Sequence, residues 1–515
     1  MPSISTAHAR SRLVCPSSRW SLQMNDPHSK WNWPPEEIKR VGYRVVDIIA
    51  DHLTTLPTRP VFRPVPMDVA RGLQNEPMPV HGQTADEVLE AFLRHVEPYP
   101  FGNGHPRFFG WVNSPPALMG IFADALAAAM NPSCAGGNHA AVFVERQVVD
   151  WFKELLSFPA DSFGLIVSGG SMAALTALAV ARHAKCGFDV RAQGLQQTAA
   201  RLLFYKAAEG HGCHQKALEL LGIGSDYIRL VPHDAAYRMR PGVLAEMIAR
   251  DRSEGHTPVA VIASAGTVNT GAIDPLEEIA AVCRAHNVWL HVDGAYGAPG
   301  ILSEKYRPAL AGIAHADSVA LDPHKWLCVP VEAGVVLIRD AGLQRATFSL
   351  VPPYLRTDGN LAGVGGPPWF SEYGFQQTRG FKALKVWMAL RHLGIEGYRE
   401  AIERELLLAE QLAVRLRERP DFEVCAPQSL SIVCFRYVPH ELRSQRDELN
   451  ILNKALLEDV QLAGRVFLSS TVIDDVFWLR ACVLHPRTSI DDVEELIEVI
   501  HEAAQVRLRA RASFE

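Results

Sequence analysis

Residues 318 to 330 read "SVALDPHKWLCVP". An apolar run with the look of a buried strand ends at an acid, and a lysine follows, set between a histidine and a tryptophan. Lysine is among the residues least often buried without a partner. In such a setting Lys325 either snorkels to the surface or is held in place for chemistry. The surrounding sequence decides which.

Between about residues 140 and 340, short β-branched or apolar runs alternate with helix-like stretches. The runs are "GLIVS", "RLLFY", "YIRLVP", "VAVIASAG", "VWLHVD", "SVALD" and "GVVLIR". This alternation predicts βαβ units, hence an α/β domain whose parallel-rich mixed sheet is covered by helices. Ligands of such sheets gather at the carboxyl ends of the strands. Three runs end there in residues capable of chemistry: Ser168, Asp293 and the segment leading to Lys325.

Outside this block, Ile38, Val41, Val45, Ile48, Ile49 and Leu53 recur at helical spacing after Pro34 and Pro35, which predicts an amphipathic helix. The following "PTRPVFRPVPMDVARGLQNEPMPVHG" is dense in proline and is read as extended, an arm lying along another subunit. Towards the C-terminus, long helical stretches interleave with "LSIVCFRY" and "VFWLRACVL", the pattern of a small α+β domain. The expected division is a tail over 1–30, a helical dimerisation arm over 31–110, a large domain over 111–390 and a small domain over 391–515. The first 25 residues are rich in arginine and serine and lack acids, a bias shared with transit peptides, but have no apolar core. They are read as a disordered tail or as residues preceding a true start at Met24, with a targeting signal as the other reading.

Composition narrows the function. The 515 residues are 48% hydrophobic and 21% charged, with a formal net charge of −6 and no long basic run. That argues against nonspecific nucleic-acid binding and for a small-molecule partner. The 9 cysteines form no CxxC pair, which speaks against a zinc knuckle or disulfide framework and fits a reducing cytoplasm. No segment approaches the ~18 apolar residues of a membrane span.

In "LIVSGGSMAALTALAVARHA" a strand meets Ser168, Gly169, Gly170 and Ser171, and a helix begins. Glycines admit close backbone approach, and free N–H groups at a helix start favour an anion such as phosphate. A plain strand–helix turn uses the same residues, so this segment alone is weak. Asp293 closes "VWLHVD", where an acid is often only a turn cap. Lys325 changes that reading, because strand ends separated by one crossover can point into one crevice. A lysine able to form a Schiff base, an acid for a ring nitrogen and a helix start for a phosphate are together what pyridoxal 5'-phosphate demands.

"DPHKW", "HVDGAYG", "SGGS" and "GHGCHQKA" resemble the pyridoxal-phosphate-dependent amino-acid decarboxylases of the aromatic-amino-acid and glutamate decarboxylase family. The likeness runs from about Trp31 to the C-terminal helix, through "HPRFFGW", "GTVNTGAIDPL", "LKVWMALRHLG" and "WLRACVLHPRTS" in the family's order. It implies the aspartate-aminotransferase (type I) fold and a homodimer with active sites at the interface. Lys325 is then the covalent anchor of the cofactor, Asp293 the partner of its ring nitrogen, His211 the residue stacked on the ring, and His324 a neighbour of the phosphate. Gly170 and Ser171 match phosphate-binding positions. Thr267 matches the first of two family threonines, the second being Val268 here.

The resemblance also places Trp111, Val112 and Ser114 in the substrate pocket, where an aromatic wall suits an aromatic substrate, although Trp111 equally suits interface packing. The family's proton-donating loop tyrosine corresponds to Phe370, with Tyr373 three residues on as a substitute. Phenylalanine cannot donate a proton. Family members with phenylalanine there divert the reaction through oxygen to an aldehyde, ammonia and hydrogen peroxide. The expectation is decarboxylation of an L-amino acid, aromatic by preference, to the amine. The alternatives are the oxidative route, an acidic substrate, or a silent relative.

Overall fold

The apolar runs pair as sheets in the computed structural model, which describes residues 31–196, 201–350, 369–425 and 427–512. After a two-residue strand, β1 (Phe108–Phe109), the large sheet is built from β2 (Phe163–Val167), β3 (Leu202–Ala207), β4 (Ile228–Val231), β5 (Thr257–Ser264), β6 (Trp289–Asp293), β7 (Ser318–Leu321) and β8 (Gly334–Ile338). Their order is β2-β8-β7-β6-β5-β3-β4. Only β8 runs against its neighbours. Every residue of β3, β7 and β8 is buried, as expected of strands covered on both faces, and this is why these runs read as continuously apolar. Two core clusters, one on each face, sit under the helices Ala140–Leu155, Gly170–Lys185, Pro241–Ser253 and Leu276–Ala285.

A second sheet is formed by β1 with β9 (Phe422–Val424), β10 (Ile432–Tyr437), β11 (Phe467–Ile473) and β12 (Val476–Cys482), in the order β1-β11-β12-β10-β9. The helices Arg446–Ala463 and Ile490–Ala512 pack on it. β1 therefore ties the segment before the large sheet to the C-terminal unit, pairing Phe108 with Phe467. The long helix Ala383–Glu418 joins the two sheets and breaks at Gly394, whose φ of 67° suits a residue without Cβ.

The expected arm helix forms over Pro35–Thr55, but the proline-rich segment is not extended throughout. Met67–Asn75 is helical. Its prolines flank rather than interrupt it: Pro66 stands at the N-cap, Asp68 lies in the first turn, and the stretch itself contains none. The helix Ala85–His95 starts with a capping box between Thr84 and Glu87. Among the described residues no helix is long and apolar enough to cross a membrane, and the eight described cysteines are buried and free. The tail read over residues 1–30 lies outside the described residues.

Candidate active site

β2, β6 and β7 end on the same edge of the large sheet, because β8 runs antiparallel to both β2 and β7 while β6 and β7 are parallel. Beyond β7 the chain turns at Asp322, whose carbonyl accepts the Lys325 N–H at 3.0 Å. The same turn sets Lys325 Nζ 3.0 Å from Asp322 Oδ2. Asp322 is 2% exposed, and its Oδ1 has no hydrogen-bond partner among the described residues. Burial alone would lower the Lys325 pKa, but the carboxylates of Asp322 and then Asp293 outweigh it and raise the value.

Beyond β2, Gly169 takes a φ of 150° and the helix Gly170–Lys185 begins. A Cβ on Gly334 would lie 2.4 Å from Gly169 Cα, and one on Gly170 would lie 3.0 Å from Asp322 Oδ2. Glycine is thus required for these loops to close on one another. His324 Nδ1 is held by the Ala333 carbonyl at 2.6 Å, and its Nε2 stands 3.9 Å from Asp322 Oδ2. The ring carbon beside these nitrogens borders the space in front of Gly169. Ser171 is exposed at the helix start.

At the end of β6, Asp293 is gripped on both oxygens. Oδ1 accepts the Ala295 N–H at 3.1 Å, and Oδ2 lies 3.1 Å from Nε2 of the fully buried His214. Burial would raise the Asp293 pKa, but His214 and Lys325 hold it well below the carboxylate range. His214 is correspondingly raised against its own desolvation. Three residues earlier, His211 Nδ1 accepts the Cys213 N–H at 3.1 Å, which fixes the imidazole while leaving it exposed. Burial pushes the Cys213 thiol up, but the imidazoles of His211 and His214 outweigh it and bring it to about 6.

The other predicted residues divide. Thr267 is buried, bonded to the Thr270 hydroxyl at 3.0 Å and to the Ala272 N–H at 3.1 Å, so its hydroxyl serves the turn after β5. Ser114 Oγ donates to the carbonyl of His324 at 3.3 Å, tying the 111–114 segment to the lysine turn. Val112 is buried, whereas Trp111 is 46% exposed and stacks on Phe101 at 5.5 Å. Its backbone is held by Ser469 and Arg480 of the second sheet.

Within one chain, Phe370 and Tyr373 lie away from the edge that bears Lys325. Phe370 is 1% exposed. It packs on Phe163 with the Arg379 guanidinium 5.6 Å from its ring, and Tyr373 stacks on Phe163 at 3.9 Å. Phe163 opens β2 and pairs through Ile338 with Ser318, the first residue of β7. These rings therefore sit about 13 Å of strand away from the edge that bears Lys325. An apolar niche at the start of β2 satisfies Phe370 better than a polar crevice would. The rest of the loop, residues 351–368, lies outside the described residues.

Two site residues escaped the sequence reading. Asp322 stood inside the quoted motif, three positions before the lysine, a spacing that returns it to the same turn. His214 lies three positions after His211 at the start of a helix, and that shared phase was the available signal.

The residues present fit pyridoxal phosphate. A ring carboxylate kept ionised, a lysine beside it, a histidine with an open face and a glycine cradle at a helix start stand along one sheet edge. Comparisons agree. Residues 66–438 match the model of the pyridoxal-dependent decarboxylase conserved domain. An aromatic-L-amino-acid decarboxylase of Bacillus atrophaeus is 38% identical over 91% of this chain and 96% of its own length. A phenylacetaldehyde synthase of Arabidopsis thaliana is 27% identical over 92% and 97%. The crystal structure of Oryza sativa TDC with PLP and tryptamine superposes with a TM-score of 0.84 at 25% identity, covering 92% of this chain and all of that one. By the family model and the Bacillus relative, the chain belongs to the pyridoxal-dependent decarboxylase family.

Proposed function

We propose that this enzyme removes the carboxylate of an aromatic L-amino acid, releasing carbon dioxide and the amine, and that it works as a cytoplasmic homodimer. The observation that carries the reaction is the pairing of Lys325 and Asp293 on one sheet edge, each held in its charged form by its surroundings. Lys325 anchors the cofactor and can take or return a proton at Nζ. Asp293 holds a proton at the ring nitrogen. His211 supplies a flat face, and Gly170, Ser171 and His324 border the phosphate end. When bound, pyridoxal phosphate accepts the electron pair that the departing carboxylate leaves behind.

Aromatic preference is supported by Trp111 and Phe101, stacked and half-exposed on a segment hydrogen-bonded to the lysine turn. The aromatic L-amino acid named for the Bacillus relative and the tryptamine named in the rice structure point the same way. The dimer is supported by the arm. None of the residues in the helices Pro35–Thr55, Met67–Asn75 and Ala85–His95 is buried. Yet Ile38, Val45, Val46, Met67, Leu73, Val88 and Phe92 lie exposed along them. Amphipathic helices with an uncovered apolar stripe need a second surface, and a second copy supplies it. We place the boundaries of the arm, large and small domains at about residues 110 and 390.

The test is to incubate the loaded enzyme in air with aromatic and acidic L-amino acids, following carbon dioxide, amine and hydrogen peroxide together. Amine equal to carbon dioxide, with aromatic substrates favoured, is the expected result. Stoichiometric peroxide would replace the amine reading by the oxidative one, which the aldehyde-forming relative favours. Turnover of glutamate or aspartate alone would refute the substrate class.

A further inference from the structure

We propose that His214 is a positioning residue: packed against Oδ2 of Asp293, it fixes the orientation and the negative charge of the carboxylate on which the ring nitrogen depends. This rests on the reading of Asp293 given above. Asp293 has two oxygens, and one is already taken by the Ala295 N–H. His214 Nε2 approaches the other at 3.1 Å. The two are in ionic contact rather than in an aligned hydrogen bond, and the Cys213 thiol is the other group that acts on the imidazole.

His214 occupies the first turn of the helix Cys213–Leu220 and is wholly buried. A cation is disfavoured at a helix start, so a partner carboxylate is what its charge requires. Facing it from β6, His291 meets it edge-on at 6.1 Å. Burial, and next the charge of His214, push the His291 pKa down to about 3, so it stays neutral. From β3, Lys206 is a second cation, acted on by both Cys213 and Asp293. From its own helix comes the Cys213 thiol, and Lys325 acts through Asp293. Asp293 is the one carboxylate in contact with His214 among the described residues.

Cys213, His214 and Asp293 offer ligand atoms within 4.8 Å of one another, so a borderline divalent cation such as zinc is the competing occupant. Two features oppose it. The imidazole is already spent on the carboxylate, and two ammonium groups act on the same cluster.

The experiment compares His214→Phe, His214→Gln and Asp293→Asn with the parent. In cofactor-free protein, ¹⁵N-histidine spectra at neutral pH should show His214 doubly protonated, and that signal should revert to neutral imidazole in Asp293→Asn. In loaded protein, His214→Phe should lower kcat about 10- to 100-fold and weaken cofactor binding by a similar factor, with KM within about threefold, as removal of a ligand's supporting partner does. His214→Gln should lose less, and it carries the test if the phenylalanine variant does not fold. A neutral His214 in the parent, parent-like kcat and cofactor affinity in both variants, or stoichiometric zinc in cofactor-free protein would each overturn the proposal. Asp293→Asn separates the two layers: if it binds cofactor and turns over like the parent, the Asp293 reading itself fails. If it is impaired while both His214 variants are not, only the present inference falls.

Discussion

Replacing Asp322 with asparagine should make the Lys325 ammonium a stronger acid while leaving the turn intact. The parent pair is 3.0 Å apart, with Asp322 2% and Lys325 25% exposed in their side chains. At an effective dielectric of about 20, two unit charges at that separation attract by about 5 kcal/mol, or about 4 pKa units, which is a ceiling. Solvent at the partly exposed Nζ and the remaining Asp293 reduce the loss, so a fall of at least about 1 unit is expected. The sign is fixed, because desolvation, left without its largest counterweight, acts downward. The assay is competitive acylation of cofactor-free protein from about pH 6 to 11, with the Lys325 peptide quantified by mass spectrometry against free lysine. A midpoint within about 0.3 unit of the parent would refute the reasoning. Linkage gives a second reading. A lysine raised above its ordinary 10.5 in the folded state adds stability below that pH and loses it as pH rises through the folded value. Asp322→Asn should therefore shrink the alkaline fall in stability.

Arg379→Met leaves Glu145 unpaired in the core and frees the Cys134 and Ile166 carbonyls. It should cost about 3 to 5 kcal/mol in urea unfolding. Adding Glu145→Leu should restore most of that, and a single-variant loss under about 1 kcal/mol would contradict the assignment. Glu405, which accepts the Trp326 indole N–H at 2.6 Å, is pushed up to about 8 by burial, only partly offset by Trp326. The folded protein then holds a proton that the unfolded chain releases above 4.5, so stability should fall between 4.5 and about 8. Glu405→Gln keeps the acceptor and should flatten that stretch of the Tm–pH curve; parallel curves would exclude it. Gly334→Ala drives a Cβ to 2.4 Å from Gly169 Cα. It should destabilise the protein by about 1 to 3 kcal/mol and weaken cofactor affinity, and an unchanged Tm and dissociation constant would count against the cradle.

Much of the large sheet was legible because strands covered on both faces must be apolar throughout, and such runs stand out between helical stretches. β9 and β1 were not: each is two or three residues long, and β1 exists only because Phe108 finds Phe467, more than 350 positions away. The helix Met67–Asn75 was hidden by its flanks, since proline density was read across a window wider than the proline-free gap. The packing of Phe370 was hidden for a related reason. Counting back from "TRGFKALK" gives a position in a motif, whereas burial against Phe163 is set by the sheet, which the count does not contain.

The site itself was half legible, and the division follows charge. Lys325 and Asp293 announce themselves at the ends of apolar strands, where an ionisable group is out of character. Their partners do not, because a buried charge is tolerated only as part of a pair and the second member can come from anywhere in the chain. Asp322 is found on the same turn as Lys325, but His214 reaches Asp293 from a helix 79 residues earlier. The result is two interlocked pairs, Lys325 with Asp322 and His214 with Asp293, in which each carboxylate also acts on the lysine. Such an arrangement sets a cationic partner 3.0 or 3.1 Å from each carboxylate, which offsets the cost of burying it. A change to either carboxylate should therefore disturb the titration of Lys325.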